Sequence, residues 1–301
     1  YLAEPSESIW DVAKKNNIDI PHLCYSPEPG YRADGNCRAC MVEIKGERTL
    51  AASCIRKPTE GMEVTVNSSR AEKSRSMVFE LLVSDQPSKE QSPDPDSKFW
   101  NWSEKMGVST SRFPGKEKIN IDRSHKAMSV NLDACINCNL CVRACREVQV
   151  NDVIGMAYRG STAKVIFDLD DPMGESTCVA CGECVQACPT GALMESSLVN
   201  KEGARVNYAD RTVDSVCPYC GVGCQTQVHV KDDKILYVDG KDGPANENRL
   251  CVKGRFGFDY INHEGRLTKP LIRKAGVPKD PNFQLKDSEI SDYFEETSWE
   301  N

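Results

Sequence analysis

Two runs of four cysteines constrain this 301-residue chain more than any other feature of its sequence. Cys135 and Cys178 each begin the pattern C-x2-C-x2-C-x3-C, and Pro189 follows the second run. The two-residue gaps let three thiolates face one [4Fe–4S] cluster, while the fourth cysteine of each run ligates the other cluster. The sequence therefore predicts two clusters with exchanged ligands, one held by Cys135, Cys138, Cys141 and Cys188 and the other by Cys178, Cys181, Cys184 and Cys145.

Three other uses of these cysteines compete with iron–sulfur ligation. Adjacent C-x2-C pairs make poor disulfide staples, and the chain shows no secretory mark. Zinc ribbons use paired C-x2-C knuckles rather than triple runs. Unliganded burial does not explain 16 cysteines in ordered sets. Iron–sulfur ligation is the favoured interpretation, although Arg146 rather than proline follows the first run.

A more widely spaced set, C-x12-C-x2-C-x13-C, precedes the two runs and consists of Cys24, Cys37, Cys40 and Cys54. Ser8 and Asp11 form a capping box, which predicts a short helix before these cysteines. The segments 41–45 and 62–66 alternate in polarity, as strands do. A helix, a cysteine loop and strands in this order indicate a small β-grasp [2Fe–2S] ferredoxin domain, and a structural zinc site is the alternative.

The last set, C-x2-C-x3-C-x26-C, consists of Cys217, Cys220, Cys224 and Cys251. Gly221 and Gly223 allow the backbone to fold tightly around a cluster. The segments 225–230 and 234–238 predict a hairpin whose turn is 231–233. We interpret this set as the ligands of a third [4Fe–4S] cluster, with zinc again as the alternative.

In this order, the motifs resemble the catalytic alpha subunit of NAD-dependent formate dehydrogenases that contain molybdenum or tungsten. The resemblance runs from about Ser8 to Lys269, and its most specific part is CPYCGVGC…LCVKGRFG, from Cys217 to Arg255. It implies that the last cluster lies against a bis-pyranopterin guanine dinucleotide that carries Mo or W. It also implies that Lys253 binds between cluster and pterin as an electron relay, whereas the alternative for Lys253 is a surface lysine.

The sequence departs from related chains in two places. The large iron–sulfur subunit of NADH:quinone oxidoreductase and the [FeFe]-hydrogenases carry a His-and-three-Cys motif after the [2Fe–2S] domain. Here no cysteine lies between Cys54 and Cys135, so we expect no cluster there. Formate-oxidising members continue into pterin-binding domains, and all 16 cysteines here are already assigned. The resemblance therefore implies that the metal–pterin catalytic residues lie in missing or adjoining domains, and no catalytic role is assigned to His22, His125, His229 or His263.

The predicted fold class is α+β, with a β-grasp [2Fe–2S] domain, a double-cubane bacterial-type ferredoxin domain and a small [4Fe–4S] domain of the molybdopterin oxidoreductase type. The predicted boundaries are 1–67, 68–127 (a helix and polar linker without a cluster), 128–200, 210–270 and 271–301 (a linker toward catalytic domains). Within the second range, Ser69 and Glu72 suggest a capping box, and Met77, Val78, Leu81 and Leu82 suggest the apolar face of its helix. The aromatic segment 99–102 is predicted to lie in a short helix and to anchor packing.

Charge and composition exclude two classes of partner. A formal net charge of −7 and the lack of a basic stretch argue against nucleic acid. The chain contains no run of 18 apolar residues, so the sequence predicts no membrane span. The resemblance implies a cytoplasmic protein that carries electrons between formate/CO2 and a flavin- and NAD-binding iron–sulfur beta subunit. The alternatives are an NADH:quinone oxidoreductase-type iron–sulfur subunit and a stand-alone multi-cluster electron carrier.

Overall fold

The computed structural model describes residues 1–279 and 290–300, and the chain divides into two units, Tyr1–Phe256 and Gly257–Asn301. In the first unit the helices are α1 (Ile9–Lys15), α2 (Ser69–Val83), α3 (Lys98–Lys105), α4 (Leu140–Arg143), α5 (Glu183–Ala187) and α6 (Val252–Phe256). Its strands are β1 (Met41–Ile44), β2 (Ala51–Ala52), β3 (Val64–Thr65), β4 (Met128–Val130), β5 (Ile154–Ala157), β6 (Lys164–Phe167), β7 (Leu193–Glu195), β8 (Arg211–Val216), β9 (Gln225–Lys231) and β10 (Lys234–Gly240).

The first part of the chain packs α1 against a small antiparallel sheet of order β2-β1-β3. The predicted capping box is present: the Ser8 hydroxyl accepts from the Asp11 N–H, and the Asp11 carboxylate accepts from the Ser8 N–H. Ile9 and Trp10 then bury their side chains in the core of this sheet. The helix and strands therefore lie where the sequence predicts them.

The helix α2 follows the sheet, but its cap and its buried face differ from the prediction. The N-cap is Ser68, whose hydroxyl accepts from the Ala71 N–H, so the Ser69–Glu72 capping box is wrong by one residue. The buried side is Ala71, Arg75, Phe79 and Val83, whereas Leu81 is 48% exposed. Phe79 packs against Phe99 of α3, which explains why this face turns inward.

The predicted aromatic anchor lies in α3. Phe99 and Trp100 are buried, and the Trp100 indole N–H donates to the Ser92 hydroxyl over 3.1 Å. Their hydrophobic cluster also contains Leu23 and Ala39, which flank cysteines of the first set. The segment predicted to lack a cluster thus supports the first cysteine loop by packing.

The double cysteine run lies between two antiparallel strand pairs, β4 with β7 and β5 with β6. Each run turns into a helix through a left-handed residue, Asn139 (φ 64°) before α4 and Gly182 (φ 72°) before α5. A π-helical turn, Ala144–Val148, continues α4 and carries Cys145. Such turns occur frequently at functional sites.

The third part is an antiparallel sheet of order β10-β9-β8. The predicted hairpin is formed by β9 and β10, and both Asp232 (φ 49°) and Asp233 (φ 60°) adopt the left-handed conformation that a tight hairpin turn requires. The strand β8 is a third member of this sheet, and the sequence did not predict it. All six of its residues are exposed, so it has no buried face that would alternate with an exposed one.

In the second unit, β11 (Leu271–Arg273) pairs with β12 (Phe294–Glu296), and α7 (Ile290–Tyr293) precedes β12. The range predicted as a linker therefore contains a two-stranded sheet, and residues 280–289 and 301 of that range lie outside the described residues. None of the helices within residues 1–279 and 290–300 combines the length and apolar character that crossing a bilayer requires.

Candidate iron–sulfur centres

The first cysteine group is assembled by the loop before β1 and the turn after β2. The Sγ atoms of Cys40 and Cys54 lie 3.4 Å apart, and the Cys37 N–H donates to Cys24 Sγ over 3.4 Å. Hydrogen bonds from the Cys37 and Cys54 thiols lower the pKa of Cys24. Ser53 holds the arrangement through a 2.8 Å bond from its hydroxyl to the Cys40 carbonyl. The structure thus brings the four members of this set together.

The second group combines the first three cysteines of one run with the last cysteine of the other. These four cysteines line one small cavity, whose other walls are mainly apolar. They are Cys135, Cys138, Cys141 and Cys188. Burial raises the pKa of Cys138, and the nearby charges of Cys188 and Cys135 raise it further. These thiols therefore face a common space that water enters poorly.

The third group mirrors the second. Burial raises the pKa of Cys184 well above its ordinary value, and the charges of Cys181, Cys178 and Cys145 act in the same direction. Cys145 lies in the π-helical turn, and its Sγ accepts from the Val153 N–H over 3.3 Å. Cys145 therefore lies with the cysteines of the second run.

Backbone donors point at sulfur in the same way in both halves. The Asn137 N–H donates to Cys135 Sγ and the Ala180 N–H donates to Cys178 Sγ, each over 3.4 Å. Both donors have positive φ, 51° for Asn137 and 55° for Ala180, which is uncommon for residues other than glycine. Hydrogen bonds to thiolate sulfur stabilise its negative charge and tune a bound cluster. The positive φ of these two residues therefore turns their N–H groups toward the sulfur atoms.

The fourth group lies between β8, β9 and α6. Cys217 is buried and its N–H donates to the Cys224 carbonyl over 2.8 Å, whereas Cys220 and Cys251 are exposed. A Cβ added to Gly254 would stand 3.5 Å from Cys217 Sγ, so α6 passes close to this sulfur. Lys253 is exposed on α6, two residues after Cys251.

The donor sets fit iron–sulfur clusters. Among residues 1–279 and 290–300, no three His, Cys, Asp or Glu side chains converge closely enough for one metal ion. Four soft thiolates, backbone N–H donors to sulfur and apolar walls are the environment that an iron–sulfur cluster requires. The assignment of individual cysteines as ligands stays a prediction.

The four groups follow one another in space within the first unit. Cys24 of the first group packs with Cys138 of the second group. Cys141 and Cys184 of the second and third groups share one hydrophobic core. The helix α6, next to the fourth group, contributes Arg255, whose Nε donates to the Cys181 carbonyl of the third group over 2.9 Å. Contacts therefore join each group to the one that follows it in the sequence.

Sequence reasoning missed Lys98, which lies beside the first two groups. Its ammonium donates to the Tyr25 carbonyl over 3.3 Å. Burial lowers the pKa of Lys98 to about 8, and the thiolate charges of Cys37 and Cys138 oppose that shift. In the sequence Lys98 directly precedes the aromatic segment 99–102, and this position does not indicate that a cysteine lies nearby in the fold.

Comparison with known proteins assigns three domain types to the chain. Residues 1–69 match the family described as "2Fe-2S iron-sulfur cluster binding domain" and residues 134–192 match "4Fe-4S dicluster domain". Residues 210–263 match "Molybdopterin oxidoreductase Fe4S4 domain". The chain therefore carries [2Fe–2S] and [4Fe–4S] domains, as the sequence predicts.

Curated relatives match almost all of this chain. "Probable oxidoreductase YjgC" of Bacillus subtilis (strain 168) is 29% identical over 99% of the chain and 32% of the relative. A "Putative formate dehydrogenase" of Staphylococcus aureus (strain USA300) is 30% identical over 98% of the chain and 33% of the relative. The chain thus spans about a third of the length of these relatives. These matches confirm the resemblance to an iron–sulfur part of formate dehydrogenase-type chains.

One solved structure shares the fold over most of its length. It is described as "Crystal structure of NAD+-reducing [NiFe]-hydrogenase in the H2-reduced state". The TM-score is 0.59 and the identity is 26%, with 68% of this chain and 88% of that chain covered. This chain is therefore similar in fold and sequence to a chain of an NAD+-reducing hydrogenase as well.

Proposed function

We propose that this chain is the electron-transfer part of a formate dehydrogenase alpha subunit. It connects a Mo- or W-pterin site, where formate and CO2 interconvert, with an NAD-linked flavin partner. The observation that carries the proposal is the succession of contacts that joins the four cysteine groups, from the buried Cys24 group to the partly exposed Cys217 group. The relatives named as formate dehydrogenases support the substrate, and the hydrogenase chain supports the NAD link.

The four cysteine groups would hold one [2Fe–2S] cluster and three [4Fe–4S] clusters. When bound, these clusters supply one-electron transfer, which suits a reaction that releases two electrons. The protein contributes apolar walls around Cys141 and Cys184 and N–H donors at Cys135 and Cys178. It thereby excludes water and stabilises sulfur charge, which are the means by which a protein tunes such centres.

The finer architecture belongs to the same proposal. We assign a β-grasp domain to 1–67, a cluster-free helix and linker to 68–127, a double-cubane ferredoxin domain to 128–200 and a small [4Fe–4S] domain to 210–270. We further propose that Lys253, exposed beside Cys251, faces the pterin cofactor and that the catalytic residues lie outside this chain segment. A cytoplasmic site follows from the NAD-linked partner.

A second candidate has one specific observation in its favour. The hydrogenase chain is covered over 88% of its length, so a subunit that links an NAD site to a different metal centre would also suit this fold. The segment 210–263 favours a pterin-linked centre, because its family description names molybdopterin oxidoreductases. A stand-alone electron carrier is the third possibility that the experiment must separate.

The test is a metal count and a reduction assay on the native complex, purified under nitrogen. We expect about 14 Fe per chain, from the four proposed clusters, together with Mo or W, and reduction of the iron–sulfur signals by formate. NADH and H2 serve as parallel reductants. Reduction by H2 or NADH but not by formate, without Mo or W, would leave the hydrogenase-type or carrier function instead. Zinc in place of iron would remove every version of the proposal.

A further inference from the structure

Two arginines are the bulkiest fully buried side chains in the part of the chain that the structure describes. Arg143 is 1% exposed and Arg255 is not exposed at all. Burying a guanidinium costs several kcal/mol unless hydrogen bonds and countercharges compensate it. The position of each arginine therefore depends on the groups that it contacts.

Arg143 lies between the first and second cysteine groups. Its Nη2 donates to the Cys24 carbonyl over 2.7 Å and to the Cys138 carbonyl over 3.2 Å. Its Nη1 donates to the Arg32 carbonyl, and its Nε stands 3.5 Å from an Asp34 carboxylate oxygen. A single nitrogen thus ties together the backbones of two cysteines that belong to different groups.

Arg255 occupies the matching place between the third and fourth groups. Its Nε donates to the Cys181 carbonyl over 2.9 Å, and the first turn of α6 joins it to the fourth group, since the Arg255 backbone N–H makes the helical bond to the Cys251 carbonyl over 3.1 Å. Its Nη1 stands 3.1 Å from an Asp239 carboxylate oxygen, and its Nη2 donates to the Gln186 side chain over 2.6 Å. A Cβ on Gly182 would overlap the Arg255 stem, so the cysteine loop is shaped to this arginine.

The two contacts are equivalent in the repeated motif. Cys138 and Cys181 are each the second cysteine of a C-x2-C-x2-C-x3-C run. Arg143 belongs to its own run, whereas Arg255 is 74 residues beyond Cys181, so chain connectivity does not impose the equivalence. The same carbonyl of each half receives a buried cation from the junction with the neighbouring domain. This recurrence points to a role shared by both arginines.

We propose that Arg143 and Arg255 are positioning residues that couple neighbouring cluster sites, and this rests on the function proposed for the cysteine groups. Each fixes two cysteine loops against each other and places a positive charge between them. Solvent screens buried charges weakly, so the cation stabilises the added electron on either side. Arg143 thus raises the reduction potentials of the first and second centres, and Arg255 raises those of the third and fourth.

The test is an EPR-monitored redox titration of the loaded complex with chemical reductant and mediators. Removing either arginine takes one positive charge from its junction, while Asp34 keeps its ion pair with Arg32 and Asp239 keeps its contact with His229. Arg143→Gln should lower the potentials of the first two centres, and Arg255→Gln should lower those of the last two. We expect about a tenfold change in the ratio of reduced to oxidised centre, which is 59 mV for one electron. Arg112→Gln, which removes an exposed arginine paired with Glu80, should shift none beyond replicate scatter.

Charge-retaining and opposite-charge variants separate this role from a structural one. Arg143→Lys and Arg255→Lys should restore most of the potential, since the cation remains. Asp34→Asn and Asp239→Asn keep the arginine and should raise the potentials of the same pairs, so they test the proposal even if the Gln variants fail to assemble. Unchanged potentials, or equal shifts at all four centres in both Gln variants, would overturn it. The titration uses no formate, so a failure of the proposed function leaves this result readable.

Discussion

At the scale of the residue, Glu195 shows how burial alone sets a pH response. It ends β7, is buried, and its pKa is raised to about 7 by burial and then by the charge of Asp239. The charges of Arg255 and Arg205 lower it in part. Because the folded state holds this proton more tightly than the unfolded state does, stability falls as the pH rises from about 4.5 to about 7.

Glu195→Gln should therefore stabilise the loaded protein above pH 7 and leave it unchanged below pH 4.5. The gain should be on the order of 3 kcal/mol, from 1.36 kcal/mol per pKa unit. Thermal unfolding at pH 5 and at pH 8 measures the difference. Glu63→Gln, at an exposed carboxylate paired with Lys45, is the control and should show no such pH dependence. An equal effect of Glu195→Gln at both pH values would contradict the assignment.

Gly182 has two reasons to be glycine, namely its φ of 72° and its contact with the Arg255 stem. Gly182→Ala should cost more than the 1–2 kcal/mol that a left-handed alanine costs by itself. Gly46→Ala is a matched control, since Gly46 has a φ of 85° and nothing within 4 Å of an added Cβ. Urea unfolding of both variants should show the larger loss for Gly182→Ala, and equal losses would exclude the contact as the cause.

At the scale of the element, α2 shows which parts of the structure the sequence can predict. The capping box at Ser8 is local, so α1 could be predicted from four adjacent residues. Because Ser68 and Ser69 are adjacent, the sequence left the start of α2 uncertain by one residue. Its apolar residues also lie on more than one side of the helix, so the sequence alone did not determine which face is buried. Only the contact between Phe79 and Phe99 decides which face is buried, and that contact joins distant segments.

The buried face of α2, which contains Phe79, can be tested by substitution. Phe79→Ala should destabilise the protein by about 3–5 kcal/mol, because a fully buried ring leaves a cavity. Leu81→Ala, on the face first expected to be buried, should change stability by no more than about 0.5 kcal/mol. Thermal unfolding of the two variants compares the faces within one helix. A larger loss for Leu81→Ala would restore the original interpretation.

The π-helical turn after α4 predicts an exchange of ligands between the two runs. Cys145→Ser should remove or alter the same EPR signal as Cys178→Ser, although Cys145 belongs to the other run. Likewise, Cys188→Ser should act on the same signal as Cys135→Ser. Iron content and EPR spectra of the four variants check this pairing. If each cysteine instead affected the signal of its own run, the exchanged arrangement would be wrong.

At the scale of the whole molecule, the first unit holds all four cysteine groups, and contacts join each group to the next. The short repeated gaps made the second and third groups recognisable from the sequence, because three closely spaced thiolates can ligate one cluster. The order of the groups in space was not predictable, since it depends on contacts such as that of Arg143 with Cys24, 119 residues apart. Long-range contacts of this kind leave no local pattern in the chain.

The unequal burial of the cysteine groups has a consequence for damage by dioxygen. In the Cys24 group three of the four thiols are buried, whereas in the Cys217 group Cys220 and Cys251 are open to solvent. Dioxygen attacks accessible sulfur and iron first, since susceptibility to oxidation follows exposure. When this segment is handled in air without the proposed pterin-binding domains, the Cys217 group should therefore lose its iron before the Cys24 group does.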